Sequence, residues 1–254
     1  MPRSTTTIME TNLVDIHSHI LFGIDDGAKD LSESLEMARV YLQQGVGTVV
    51  ATPHFDIVKD NLENFLGVRD KHIELLRNSL SNVDVNLQVL QSAELYFRHE
   101  LLEIDLSPFI IEGTDYLLIE LPTRTVPNGI LPFFEELIYQ GYNPILAHME
   151  RYAILRDDTQ LLHDLAEIGV LFQVNNETII NGLDSFMKAC FKKGYISFVG
   201  SDAHGLGKRK INYQDLETDF NITKYNQHAQ TLIHNQWVEP GTRKRINKIL
   251  GKYI

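Results

Sequence analysis

The sequence predicts an α/β domain in which parallel strands and crossover helices curl into a closed or nearly closed barrel. Three observations carry that expectation. Seven short β-like runs begin near Leu13, Val46, Asn86, Tyr116, Asn143, Val170 and Ile196, each followed by a helix-like segment. Alternation at a spacing of roughly 30 residues is the mark of βαβ units and a parallel sheet. No strand is followed by G-x-G-x-x-G or G-x-x-x-x-G-K-[ST], the phosphate turns that usually accompany a doubly wound sheet. The 254 residues are within reach of a single α/β barrel, and no low-complexity linker divides them. One domain over 13–254 is therefore expected, behind a flexible N-terminal segment over 1–12.

The elements follow in order. Leu13-Val14-Asp15-Ile16 is a short, mostly apolar run that ends in His17-Ser18-His19. A helix over 32–44 starts at Ser32, places Leu35, Met37, Ala38 and Leu42 on one face, and stops at Gly45. Val46 to Ala51 is β-branched and reads as the second strand. Residues 61–80 read as a longer amphipathic helix, and 87–90 and 116–121 as buried strands. Helix 127–139 is stopped by Gly141; strand 143–147 and helix 159–168, stopped by Gly169, come next. Strand 170–174, helix 179–193 with Gly194 behind it, and strand 196–199 complete the alternation. The tail over 227–253 mixes helix-like patches with Pro240-Gly241.

Composition removes several function classes. A net charge of −11 argues against nucleic-acid binding through counterion release. The single cysteine, Cys190, leaves no disulfide framework and no thiolate zinc site, which fits a reducing compartment. Residues 1–12 are polar and threonine-rich without an apolar signal core, and no run approaches the roughly 20 apolar residues of a membrane span. A cytoplasmic protein without membrane insertion is expected.

In parallel α/β folds, chemistry gathers beyond the C-terminal strand ends. Ligand-type residues fall there repeatedly: His17, His19 and the Asp25-Asp26 pair after the first strand, His54 after the second, Glu94 after the third. Glu120 ends the fourth and His148 the fifth, and the seventh runs into Ser201-Asp202-Ala203-His204. The sixth offers only Asn175 and Asn176, weaker ligands. Singly, a histidine is usually a surface or satisfied core residue, and Asp-Asp-Gly is usually a turn. The remaining histidines (72, 99, 163, 228 and 234) sit in helix-like surroundings, and for them the ordinary reading holds. Joint placement of so many donors at strand ends points instead to a metal centre.

Five histidines and several carboxylates are too many for one ion. Nitrogen and oxygen ligation without sulfur suits manganese, iron or zinc, with magnesium also open, and carboxylates can bridge two ions. Clustered cations are the mark of phosphate-ester hydrolysis. Arg151, three residues past His148, and Arg209, five past His204, are the candidates for phosphate oxygens, which guanidinium grips bidentately. A cysteine-nucleophile phosphatase needs arginine six positions after its cysteine, where this chain has Ile196. No Asp-x-Asp nucleophile motif follows a strand.

Asp15-Ile16-His17-Ser18-His19, Asp25-Asp26-Gly27, Ala51-Thr52-Pro53-His54, His148-Met149-Glu150-Arg151-Tyr152 and Ser201-Asp202-Ala203-His204 together resemble the polymerase-and-histidinol-phosphatase (PHP) superfamily. More narrowly, they resemble its bacterial manganese-dependent protein-tyrosine phosphatases of capsule and exopolysaccharide synthesis. The resemblance runs from about Leu13 to Arg209 and implies a distorted (β/α)7, TIM-barrel-like fold holding three metals. It would place His17, His19, Glu94 and Asp202 on a first ion, with Glu94 bridging to a second that Glu120 and His148 also hold. Asp26, rather than Asp25, would join His54 and His204 on the third. Arg151 and Arg209 match phosphate-contacting arginines. The implied reaction is attack of a metal-bridging hydroxide on phosphorus, with Asp202, His204 or a bound water as possible proton sources. The implied partner is a tyrosine-phosphorylated protein, the C-terminal tail of a polysaccharide-export autokinase. Phe55-Asp56 departs from relatives that carry basic residues there. The alternatives are a histidinol-phosphate or other phosphomonoester phosphatase, or a non-catalytic regulator that binds kinase tails.

Overall fold

The computed structural model describes residues 12–216 and 220–238. The first eleven residues and the tail beyond 238 lie outside them, so the expectations of a flexible N-terminal segment and of helix-like patches around Pro240-Gly241 fall outside the described residues. β1 (Leu13–Ser18) leads into α1 (Leu31–Gln43), β2 (Val46–Ala51) and β3 (His54–Phe55), then α2 (Leu62–Asn82), β4 (Gln88–Gln91) and β5 (Glu94–Tyr96). Two 3-10 turns, His99–Glu103 and Ser107–Phe109, fill the excursion to β6 (Tyr116–Glu120). There follow α3 (Ile130–Tyr139), β7 (Asn143–Leu146), α4 (Ala153–Asp157), α5 (Thr159–Ile168) and β8 (Leu171–Asn175). The order closes with α6 (Asn176–Ile180), α7 (Ser185–Lys193), β9 (Ile196–Gly200) and α8 (Ile222–Ile233).

All named strand pairs are parallel, as the alternation predicts, but the strands form two sheets rather than one closed ring. The order is β1-β2-β4 in one and β3-β5-β6-β7-β8-β9 in the other. The second and third predicted strands are each followed, across Thr52-Pro53 and Ser92-Ala93, by a further short strand, β3 and β5, that belongs to the other sheet. The expected closure is corrected at two places. Between β1 and the segment after β9 the described residues form one bridge, Ser18 to Ala203, made by Asp202 N donating to His17 O and His19 N to Ala203 O, both at 2.9 Å. The side of β4 away from β2 pairs with no strand, because other groups satisfy it. Arg77 Nε donates to Val89 O at 2.9 Å, Gln91 N donates to Glu112 Oε2 at 2.9 Å, and Glu112 N donates to Gln91 O at 2.9 Å. An unpaired edge met this way needs no further strand.

Period-two alternation explains how the sheets share an interior. Tyr116 and Leu118 of β6, Ile145 of β7, Leu171 of β8 and Phe198 of β9 pack with Val14, Ile16, Val50 and Leu90 of the smaller sheet. The intervening Leu117, Ile119, Phe172 and Val174 face the helix layer instead. Along the inner series the residues turn polar only at the C-terminal ends: Glu120 after Leu118, Gln173 and Asn175 after Leu171. The N-terminal ends are covered by α8 and the residues behind it. Ala229, Leu232 and Val238 enter the inner cluster, and Val238 N donates to Tyr116 Oη at 3.0 Å.

Helix ends follow their chemistry. Asp30, not Ser32, caps α1 through Glu33 N at 2.9 Å, which moves its start to Leu31. Asn61, Asp158 and Asp184 cap α2, α5 and α7 in the same way. The predicted helix over 179–193 is two helices, parted by Gly182 at φ 93° and restarted by the Asp184 cap. Arg69 of α2 is the largest fully buried side chain. Its Nη1 donates to Pro108 O at 2.7 Å, so it holds the 97–115 excursion from inside.

Candidate metal centre

The strand ends bring every sequence-expected ligand to one place. Glu94 is at its middle. Its Oε2 lies 3.2 Å from His17 Nε2, 3.3 Å from His19 Nε2 and 3.1 Å from His54 Nδ1, and its Oε1 lies 2.7 Å from His148 Nε2. Asp202 Oδ1 is 3.5 Å from both His17 Nε2 and His19 Nε2. Glu120 sits 3.3 Å from His54 Nδ1 and 3.8 Å from His148 Nε2. At the outer edge, Asp26 Oδ1 is 3.3 Å from His204 Nε2 and 3.6 Å from His54 Nε2. These atoms form four overlapping groups able to hold a cation: His17-His19-Asp202, His17-Glu94-His148, His54-Glu94-Glu120 and His19-Asp26-His54-His204. Histidines 72, 99, 163, 228 and 234 join none of them.

The local chain explains the convergence. The β2–β3 break lets Thr52 N bond Ser18 O at 2.8 Å on one sheet while His54 pairs alongside Glu94 on the other. His148 and Asp202 turn off their strands at φ 30° and 52°, in a left-handed region that side chains seldom adopt. Arg209 does the same at 54°. Non-glycine residues held there store backbone strain that the surrounding structure must over-determine, and such strain gathers at functional sites.

Partners behind the cluster fix which nitrogen faces it. Asp25 Oδ2 meets His19 Nδ1 at 2.6 Å, and its carboxylate also accepts Gly27 N and His54 N at 2.9 and 3.0 Å. Asp25 therefore orients His19, while Asp26 reaches the donors. His204 Nδ1 meets Asp202 O at 2.9 Å, and His148 Nδ1 meets Tyr152 Oη at 3.1 Å. Bonds of this sort select the tautomer that leaves the other nitrogen bare. Gly27 is required by space. A Cβ there would stand 2.3 Å from His19 O.

Electrostatics follow from crowding. Burial pushes the Glu94 and Asp202 carboxyls up, yet neighbouring imidazoles outweigh it and hold both well below the usual carboxylate range. Asp25 stays at about 2, its burial overcome by His19. Burial and His19 push His204 down to about 4, while Glu120 and Glu94 carry His54 up to about 10 against its burial.

The donor set passes a chemical test for cations. Glu94 Oε2, His54 Nδ1 and His204 Nε2 are buried without a hydrogen-bond partner, and all three point into the cluster. Buried polar atoms left unpaired are costly, and a cation is what lone pairs so arranged would satisfy. Both arginines border the cluster through one carboxylate. Arg151 Nη2 donates to Asp202 Oδ2 at 2.6 Å and Arg209 Nη2 to Asp202 Oδ1 at 2.7 Å. They line one open pocket of about 370 Å³ with Asn175, Ser201 and Lys208. Cys190 lies elsewhere, buried on α7, with its thiol pushed up to about 11 by burial, and is unsuited to nucleophilic attack. Phe55 packs on Phe65 and Phe109, and Asp56 accepts both Arg98 Nε (2.9 Å) and Nη2 (2.8 Å), so that departure is a structural clamp.

Comparison with known proteins agrees with this geometry. A family model described as capsular polysaccharide synthesis, CpsB/CapC, matches residues 13–236. The chain is 31% identical to the tyrosine-protein phosphatase YwqE of Bacillus subtilis, over 94% of this chain and 99% of that one. It is 29% identical to the tyrosine-protein phosphatase CpsB of Streptococcus agalactiae, over 89% and 100% respectively. Among solved structures it resembles one reported with YwqE from Bacillus subtilis and CpsB from Streptococcus pneumoniae, described as unique metal-dependent tyrosine phosphatases. The TM-score is 0.80 at 32% identity, covering 89% of this chain and 96% of that one. The family model over 13–236 and the 31% identity to YwqE across nearly the whole of both chains show that this chain belongs to the CpsB/CapC family.

Proposed function

We propose that this chain is a metal-dependent protein-tyrosine phosphatase of capsule or exopolysaccharide synthesis, acting in the cytoplasm on the phosphorylated C-terminal tail of a polysaccharide-export tyrosine kinase. The observation that carries the reading is Glu94 Oε2, unpartnered and within 3.3 Å of three imidazole nitrogens. A single buried carboxylate oxygen so placed is suited to bridging cations. The assignment has His17, His19, Glu94 and Asp202 on a first ion and Glu94, Glu120 and His148 on a second. Asp26, His54 and His204 hold a third, with manganese as the metal in each. We read β2 with β3, and β4 with β5, as single staves, which makes the fold a distorted seven-stranded PHP barrel in one domain.

When bound, such cations supply a nucleophile from water at neutral pH and counter-charge for the phosphoryl oxygens. The protein's own part is to place the substrate. Arg151 and Arg209 leave Asp202 to grip the phosphoryl oxygens from the pocket side, where guanidinium geometry matches phosphate. A phenolate with pKa about 10 departs more readily than an alkoxide, so proton donation by Asp202 or His204 is a minor requirement.

Metal content of protein purified without added metal, measured beside turnover of a phosphotyrosine peptide and of histidinol phosphate, tests the reading. Bound metal with faster phosphotyrosine turnover, abolished by a chelator, is expected. Preference for histidinol phosphate would overturn the substrate. Full metal content with no phosphoester turnover would leave a binding protein.

A further inference from the structure

Strand β8 carries no residue with a place among the cation ligands, yet two of its side chains, Gln173 and Asn175, bond those ligands from behind. Gln173 of β8 is fully buried. His148 N donates to its Oε1 at 2.7 Å, and His17 Nδ1 meets the same oxygen at 3.1 Å. A backbone N–H is an obligate donor, so the atom facing it must be the amide oxygen. The rest follows by necessity. Gln173 Nε2 donates to Asn175 Oδ1 at 2.9 Å, and Asn175 Nδ2 donates to Asp202 Oδ2 at 2.8 Å. His17 must carry its proton on Nδ1, which bares Nε2 toward Glu94.

Space has been kept for this relay. A Cβ on Gly200 of β9 would stand 3.2 Å from Gln173 Nε2 and 3.2 Å from His17 Cβ. A polar residue inside an otherwise apolar strand, Leu171-Phe172-Gln173-Val174, is costly to bury unless it is bonded, and here the amide oxygen takes two partners and the nitrogen one.

The relay is selective. It touches His17, His148 and Asp202, two of the three members of each of the groups His17-His19-Asp202 and His17-Glu94-His148. Gln173 and Asn175 bond no member of His19-Asp26-His54-His204 directly; their link to that group runs through Asp202, whose Oδ1 lies 3.5 Å from His19 Nε2 and whose carbonyl oxygen meets His204 Nδ1 at 2.9 Å. We propose that Gln173 and Asn175 are positioning residues for two of the three cations, and that the third is held independently of them. This rests on the reading of the cluster as a three-cation centre.

Titration of metal-stripped protein with manganese, followed by calorimetry and elemental analysis, separates the two claims. Wild type should take three equivalents. Gln173→Met, close in size and apolar, should bind two of them on the order of 10–100-fold more weakly while the third keeps its wild-type affinity. Asn175→Ala should weaken the equivalent that uses Asp202, and it replaces Gln173→Met as the test should that variant not fold. Unfolding midpoints of the stripped proteins report whether the fold survives. Three unchanged affinities in the variants, or three equal losses with an intact fold, would overturn the inference. Wild type that takes up no manganese would overturn the underlying reading instead.

Discussion

Truncating Arg151 to alanine separates anion binding from cation binding. Its Nη2 meets Asp202 Oδ2 at 2.6 Å, but Asp202 keeps Arg209 at 2.7 Å and Asn175 at 2.8 Å when that contact is lost. The carboxylate therefore stays in place, and metal per chain should not change. The Arg151 side chain is 35% exposed, so water screens the pair and its loss costs about 0–1 kcal/mol of stability. The catalytic cost is larger. Removing one preorganised donor from developing phosphoryl charge is worth on the order of 2–4 kcal/mol. At 1.36 kcal/mol per decade, kcat/KM should fall about 30- to 1000-fold. Arg151→Lys restores charge without the planar fork and should recover only part of that. The assay is initial rates on a phosphotyrosine peptide with elemental analysis of the same preparation. Unchanged kcat/KM at full metal content would refute the phosphate role, and metal loss in proportion to rate would recast Arg151 as support for Asp202.

Other outcomes are equally specific. Gly27→Ala puts a Cβ 2.3 Å from His19 O and 2.6 Å from His19 Cβ, atoms that cannot yield without moving His19. It should cost about 1–3 kcal/mol in urea unfolding and lower the manganese bound per chain. Wild-type behaviour in both would show that the turn relaxes freely. Burial lowers the pKa of His228, whose Nδ1 meets Ser197 O at 2.8 Å, and Lys224 adds to the effect. The unfolded chain then takes up a proton first as pH falls through about 6.5, so stability drops with falling pH below that value. Urea midpoints of His228→Gln should be flatter across that window, by no more than about 1.4 kcal/mol per pH unit, the limit for one proton. Parallel curves for the two proteins would remove His228 from the account.

What could be read from the chain was local chemistry repeated at regular intervals. Strand starts, parallel pairing and glycine stops at 169 and 194 follow from β-branching, crossover spacing and the left-handed bend after a helix. The ligand-type side chains were legible because they gather at or just beyond the ends of apolar runs, whereas Asp26 lies in a turn and stood out only through its neighbours. Less legible was anything set by distant partners. Asp25 and Asp26 are adjacent and chemically alike, and only the meeting of Asp25 with His19 and His54 gives them different tasks. Gln173 did carry a signal, a lone amide among apolar strand residues, but its three partners lie at positions 17, 148 and 175. The open edge of β4 depends on Arg77 and Glu112, which look like ordinary surface charges in sequence, and Arg69 hid in the same way among helix residues.

His17 and His19 belong to the smaller sheet, whereas His54, Glu94, Glu120 and His148 belong to the larger or leave its strand ends. The cluster thus straddles a seam crossed on one flank by the Ser18–Ala203 bridge and by bonds from Ser201 N to Asp15 Oδ1 and from Asp202 N to His17 O. Neither half of the molecule owns a working pocket. Parting the halves would open the shared interior and the cluster together, and cations gripped from both banks would act as rivets against it.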